Sequence, residues 1–263
     1  MDRSPEPRGP AASGPIASNP IVALRDVSYE IGGRLILDRL SLEVATGETL
    51  VLLGRSGSGK TTLLKLVNGL LFPTRGVVEV EGKPTTSWDP IRLKRHIGYV
   101  IQEVGLFPHF TIAQNVGLVP RLDGAEPAAI AARVQHLLGE VGLDPQEFSS
   151  RYPRELSGGQ RQRAGVARAL AADPPLLLFD EPFGAADPIT RLELQNQFLA
   201  LRRTLGKSAM FVTHDVREAL RLGTRIALLN RGRLETIAEP REFVRAKSPE
   251  ASAFLACLQE KEA

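Results

Sequence analysis

The sequence predicts an α/β fold with a mainly parallel sheet, an N-terminal antiparallel β subdomain and an inserted helical subdomain. Three observations predict it. Short apolar runs at 49–53, 176–179, 209–212 and 226–229 alternate with segments of helical period, the pattern of a helix-covered parallel sheet. Before the first helix, strand-like runs separated by glycine turns succeed one another with no helix between them. After Gln102 an alanine-rich block of helical period interrupts the alternation.

Taken in order, residues 1–20 are rich in Pro, Gly, Ala and Ser and carry almost no large apolar side chain. They bury too little to offset ordering and are expected to be a disordered tail. Strands are expected over 21–29, 35–37 and 40–44, with Gly32-Gly33 and Thr46-Gly47 at the turns. The run 49–53 reads as a buried strand, and 62–67 as the start of a helix. A hairpin-like run covers 76–82. Asp89 then Pro90 reads as an N-cap and first helical residue, opening a helix to about His96. Residues 97–102 form the next strand. Helices are expected at 126–141, closed by Gly142, and from about Gly159 to Ala172. The inserted subdomain thus covers about 103–168. Beyond it come strand 176–179, helix 189–205, strand 209–212, helix 216–222 and strand 226–229. A main domain over 21–242 and a short helical tail over 243–263 complete the division.

Composition limits the function. Of 263 residues, 33 are Lys or Arg and 30 are Asp or Glu, a surplus too small to argue for a nucleic-acid partner. The single Cys257 excludes an internal disulfide framework and suits a reducing compartment; a small apolar role on a C-terminal helix is expected for it. The chain has no run of 18 apolar residues and no apolar signal at its start, so a cytoplasmic protein docked on a membrane partner is expected.

The chemistry begins at residues 54–61, Gly54-Arg55-Ser56-Gly57-Ser58-Gly59-Lys60-Thr61, between a strand and a helix. The spacing is that of a phosphate loop, so the α/β core is expected to be a P-loop NTPase core. Glycines let backbone N–H groups curl around a polyphosphate, and the helix N-terminus adds favourable partial charge. Lys60 then reaches the terminal phosphates, the Thr61 hydroxyl ligates Mg²⁺, and Thr62 follows in the first turn. The strand at 176–179 delivers Asp180 and Glu181 at its C-terminal end, where open α/β sheets bind ligands. In a triphosphate site Asp180 would hold Mg²⁺ and Glu181 would orient or deprotonate water. A second glycine-rich helix start, Leu156-Ser157-Gly158-Gly159-Gln160, makes a second anion site. His96, His109 and His136 show no metal-ligand spacing, so no zinc site is expected.

Together these motifs resemble an ATP-binding cassette (ABC) ATPase over about 21–242, with 156–160 as its signature motif. The resemblance implies ATP and Mg²⁺ as cofactors. It assigns Gln102 to the Q-loop, as a catalytic and Mg²⁺-contacting residue, Asp187 to the dimer seam and His214 to the γ-phosphate. It also implies a head-to-tail dimer, in which Ser157 and Gly159, with Gly158 and Gln160, complete the partner's ATP site. Two departures stand out: Ala186 where relatives carry Leu, and Ile31 where many carry the adenine-stacking aromatic. Tyr29 is the candidate for that stacking here.

Longer stretches at 97–109, 151–153, 180–184 and 187–190 resemble the osmoprotectant importers of the glycine betaine, carnitine and choline class. The resemblance implies an ATPase at the cytoplasmic face of the membrane, working with an integral-membrane permease and, indirectly, a substrate-binding protein. An amine or phospholipid transporter is the alternative, and a soluble, non-transport cassette the next. The permease is expected to meet Leu106, Phe107, Pro108 and Phe110. Some relatives carry C-terminal nucleotide-sensing modules; with the chain ending at residue 263, none is expected.

Overall fold

The structure, a computed structural model, describes residues 20–102, 104–184 and 186–259. The tail expected over 1–20 therefore lies outside the described residues except for Pro20. In chain order the first half runs β1 (Val22–Ile31), β2 (Arg34–Val44), β3 (Thr49–Leu53), α1 (Lys60–Val67), β4 (Arg75–Val80), β5 (Lys83–Pro84), α2 (Pro90–His96) and β6 (Ile97–Val100). The inserted helices follow as α3 (Ile112–Val116), α4 (Leu118–Leu122), α5 (Pro127–Glu140), α6 (Pro145–Phe148) and α7 (Gly158–Leu170). The remainder is β7 (Leu176–Asp180), α8 (Pro188–Leu205), β8 (Ser208–Thr213), α9 (Val216–Leu222), β9 (Arg225–Asn230), β10 (Arg233–Ala238), α10 (Pro240–Phe243) and α11 (Pro249–Gln259).

Two sheets organise these elements. The larger has the order β10-β9-β3-β8-β7-β6, parallel throughout except for β9 against β10. The smaller, β2-β1-β4-β5, is antiparallel. Strands β3, β7 and β8 are buried at every position, as strands covered on both faces must be. Their period of two divides the core. Val51, Leu53, Leu177, Phe179, Ala209, Phe211, Ile226 and Leu228 face one cluster with α7, α8, α9 and the inserted helices. The intervening Leu50, Leu52, Leu176, Leu178, Met210, Val212, Ala227 and Leu229 face the other, with α1 and the antiparallel sheet. Phe179, Phe183, Phe198 and Phe211 pack ring to ring at 5.1–5.7 Å in the first cluster.

The structure corrects several expected boundaries. The strands expected at 35–37 and 40–44 are one strand, β2, which continues through Asp38 and Arg39. Arg39 takes a left-handed conformation (φ 47°) and the Asp38 amide turns away to the Gly232 carbonyl, so the ladder bends without ending. The strand expected at 97–102 stops at Val100. β10 was not expected at all: Arg233–Ala238 is an edge strand with no fully buried residue. The helical tail is two helices, α10 and α11, and Cys257 lies exposed on the second. Among the described residues no helix is long and apolar enough to cross a membrane.

Candidate active site

The loop after β3 is built by close approach. A Cβ on Gly54 would collide with the Leu229 carbonyl and stand 2.6 Å from Ser58 Oγ. One on Gly59 would stand 2.5 Å from the Leu37 side chain of β2. Gly57 and Gly59 also adopt φ of 78° and 101°, which side chains rarely allow. Gly232, at the β9–β10 turn, donates its amide to the Ser58 carbonyl at 3.1 Å and closes the loop from that side. Ser56 stays exposed at the loop's outer edge, and Thr62 is partly exposed on α1.

Lys60 is 4 % exposed and donates to the carbonyls of Gly54 (2.7 Å) and Arg55 (2.9 Å). Burial lowers its pKa, against the opposing charges of Glu181 and Asp180. Ser58 Oγ is buried without a hydrogen-bond partner among the described residues. A cradle without Cβ atoms, with an inward-turned cation and an orphaned hydroxyl, fits an anion.

At the rim, Thr61 Oγ1 donates to Asp180 Oδ1 at 2.8 Å. Tyr99, on β6, donates its hydroxyl to Oδ2 of the same carboxylate at 3.3 Å and so fixes which oxygen faces Thr61. Burial, then the Asp180 charge, pushes the Tyr99 pKa up, so it stays a donor. A hydroxyl and a carboxylate oxygen side by side are hard donors of the kind Mg²⁺ takes. Glu181 follows in a left-handed conformation (φ 47°), held by its amide on the Val212 carbonyl. Its Oε2 lies 3.0 Å from Nδ1 of His214, which is delivered by the end of β8.

Other expected residues stand apart. Gln102 is exposed beyond β6, with its amide nitrogen 3.7 Å from where a Gly184 Cβ would stand; among the described residues it makes no hydrogen bond to Thr61 or Asp180. Tyr29 is half-buried against the second core cluster, while Ile31 is 59 % exposed at the tip of the β1–β2 hairpin. Asp187 caps α8 by accepting the amides of Ile189 and Thr190, and the Thr190 side chain, then those amides, lower its pKa.

Ser157 caps α7 reciprocally with Gln160: its Oγ accepts the Gln160 amide (3.2 Å) and Gln160 Oε1 accepts the Ser157 amide (2.8 Å). These bonds close on α7 itself and none reaches the phosphate loop. Gly158 is exposed with open space around it. Further along α7, the half-buried Arg168 donates to the carbonyls of Val104 and Gly105, both at 2.7 Å, tying the helix to the segment after Gln102. In that segment His109 packs edge to face with Phe107 and Phe110, whose own rings meet at a tilt. The buried Asn115 holds them by accepting the Phe107 amide and donating to the carbonyls of Phe107, Phe110 and Thr111.

Sequence reasoning missed Tyr99, whose partner is 81 residues away. It also missed Arg55, which pairs at 2.6 Å with Glu250 of α11. The one available signal for Tyr99 is its place in the strand that pairs with β7, opposite Leu178 and so two residues short of Asp180.

A parallel sheet that ends in a closed anion cradle, with a hydroxyl–carboxylate pair at its rim, defines a phosphate-loop nucleotide-binding protein. The family model for ABC transporters matches residues 37–184, and the chain belongs to that family. It is 51 % identical over 208 residues to the osmoprotectant import ATP-binding protein OsmV of Salmonella typhimurium, covering 79 % of this chain and 54 % of that protein. It is 49 % identical over 214 residues to the glycine betaine/carnitine/choline transport ATP-binding protein OpuCA of Bacillus subtilis, covering 81 % and 56 %. The chain thus spans about half the length of these relatives. Among solved structures, the ATP-binding cassette MJ0796, a dimer in a post-hydrolysis state bound to ADP and Pi, matches with a TM-score of 0.74 at 33 % identity, over 84 % of this chain and 99 % of that one.

Proposed function

We propose that this chain is the ATP-hydrolysing subunit of an importer for a small quaternary-amine osmoprotectant, working at the cytoplasmic face of the membrane through a separate permease. The observation that carries the hydrolytic part is the Glu181–His214 contact beside the Thr61–Asp180 pair, at the mouth of the phosphate loop. The osmoprotectant part rests on the names of OsmV and OpuCA.

Backbone amides of residues 54–61 and the Lys60 ammonium bind the triphosphate of ATP. Thr61 and Asp180, with Gln102 swinging in, would hold Mg²⁺. The ion supplies charge neutralisation at the β- and γ-phosphate oxygens when bound. Glu181 orients a water and accepts its proton as the water oxygen bonds to the γ-phosphorus and the bond to ADP breaks. His214, tied to Glu181 through Nδ1, keeps Nε2 for the γ-phosphate. The exposed start of α7 binds the same γ-phosphate from a second copy arranged head to tail, with Ser157, Gly158 and Gly159 acting in trans and Asp187 at the seam. Exposed Ile189 and Leu192 on α8, beside Asp187, would be covered in that arrangement. The Phe107–His109–Phe110 cluster is the surface offered to the permease, and a substrate-binding protein acts only through that permease.

Glu181→Gln tests the reading. It is expected to lower turnover more than about a hundredfold while ATP binding persists, and to trap an ATP-dependent dimer in size-exclusion chromatography. A variant that hydrolyses ATP at the parent rate, or stays monomeric with ATP beside its permease, would remove the reading. For the solute class, ATPase activity of the reconstituted complex should rise with glycine betaine, carnitine or choline and their binding protein, and not with unrelated solutes.

A further inference from the structure

One buried carboxylate joins two loops of the site. Glu218 stands in the first turn of α9, where an acid ordinarily faces water; here it is 6 % exposed. Its Oε2 accepts a hydrogen bond from the Thr213 hydroxyl at 2.6 Å, and that hydroxyl oxygen accepts the Asp215 amide at 3.0 Å. His214 lies between those two residues, so its backbone is pinned on both flanks by one side chain.

The other oxygen of Glu218 looks toward α8. It accepts from Gln195 Nε2 at 3.2 Å and lies 4.0 Å from Nε of Arg191. Arg221 donates to the Gln195 oxygen at 3.1 Å, which fixes the orientation of that amide. Arg191 in turn donates to the carbonyl of Ala186 at 3.3 Å, the residue before Asp187. Its Nε is buried without a hydrogen bond among the described residues, and the acids facing its guanidinium are Glu218 and Asp215, each at 4.0 Å.

We propose that Glu218 is a positioning residue of the hydrolytic site. Through Thr213 it sets where His214 meets Glu181, and through Arg191 it sets the loop that ends in Asp187. The proposal rests on the roles given above to Glu181, His214 and Asp187. It means that the element facing a copy's own triphosphate and the element facing the other copy are held in register by one ionised group. Stability alone would be poorly served by this choice. Burial raises the Glu218 pKa against the hydrogen bond from Thr213, so keeping the group ionised costs the fold free energy.

Two variants of the full chain separate the two arms. Thr213→Val keeps the shape but releases the His214 side. Glu218→Gln keeps an acceptor for Thr213 but removes the charge opposite Arg191. Both are expected to lower kcat about ten- to a hundredfold, as small misplacements of reacting groups do, with KM nearly unchanged and the loss of rate not following any change in Tm. In a Glu181→Gln background, only Glu218→Gln should raise the ATP concentration needed for the dimer, and Arg191→Met should reproduce that shift. A parent-like kcat in Glu218→Gln overturns the proposal, as does a loss of rate that merely tracks a fall in Tm. Parent-like dimerisation of both Glu218→Gln and Arg191→Met overturns the Arg191 arm. If Glu181→Gln and His214→Ala themselves hydrolyse ATP at the parent rate, the underlying reading fails instead.

Discussion

Two glycine-rich loops lead into helices α1 and α7, and they offer opposite surfaces. The start of α1 is walled by Leu37, Leu229 and Gly232, and its lysine is turned inward onto backbone carbonyls. The start of α7 is open, with Gly158 against empty space and Ser157 and Gln160 satisfying one another. One is a pocket that a single chain completes. The other has no walls, and on the reading proposed above it becomes a site only when a second surface covers it. On that reading, similar glycine-rich motifs encode a whole site and half of one.

Substitutions at the two glycines bear on this contrast most directly. Gly54→Ala drives a Cβ into the Leu229 carbonyl, which cannot rotate away. It should abolish nucleotide binding in calorimetry and destabilise the fold by about 1–3 kcal/mol, as overpacking does. Gly158→Ala meets nothing within one chain. Its Tm and monomer ATP affinity should equal the parent's, while turnover falls by about tenfold or more if a second copy must close over it. Full activity in Gly158→Ala would break the comparison. Next in size is Ser157→Ala, which removes the α7 cap and should cost about 1 kcal/mol in a denaturation series. Tyr99→Phe should then raise the Mg²⁺ concentration for half-maximal turnover severalfold, because the Asp180 carboxylate loses the donor that orients it.

The smallest effect is one of pH. Glu218 has a folded-state pKa above its ordinary value of 4.5, so it binds its proton more tightly folded than unfolded. Its contribution to stability is full below 4.5 and is lost as the pH climbs through the raised value. Thermal melts should therefore show Glu218→Gln gaining on the parent as the pH rises through that window.

Much of the architecture was legible because period and punctuation agree. Asp89-Pro90 announced α2, and the apolar runs announced β3, β7, β8 and β9. β10 was illegible because an edge strand with no fully buried residue leaves no alternation to read. β2 was read as two pieces because Asp38-Arg39 resembles a turn, whereas the Gly232 carbonyl takes up the displaced amide. At the site, the phosphate loop is local and therefore visible. Tyr99 to Asp180, Arg191 to Ala186 and Glu218 to Thr213 are contacts made by side chains folded back onto other residues, and in sequence Tyr99, Arg191 and Glu218 look like ordinary strand or helix positions. Glu218 in particular reads as one more acid in a helix's first turn.

The left-handed backbone at Glu181 carries an evolutionary implication. A side chain there is disfavoured by roughly 1–3 kcal/mol, so selection for robustness alone would drift this position toward glycine. A glycine could not activate water. If Glu181 has the role proposed above, the chain accepts a weaker native state at the residue that serves hydrolysis, and screens for thermostable variants would tend to recover inactive ones at this position.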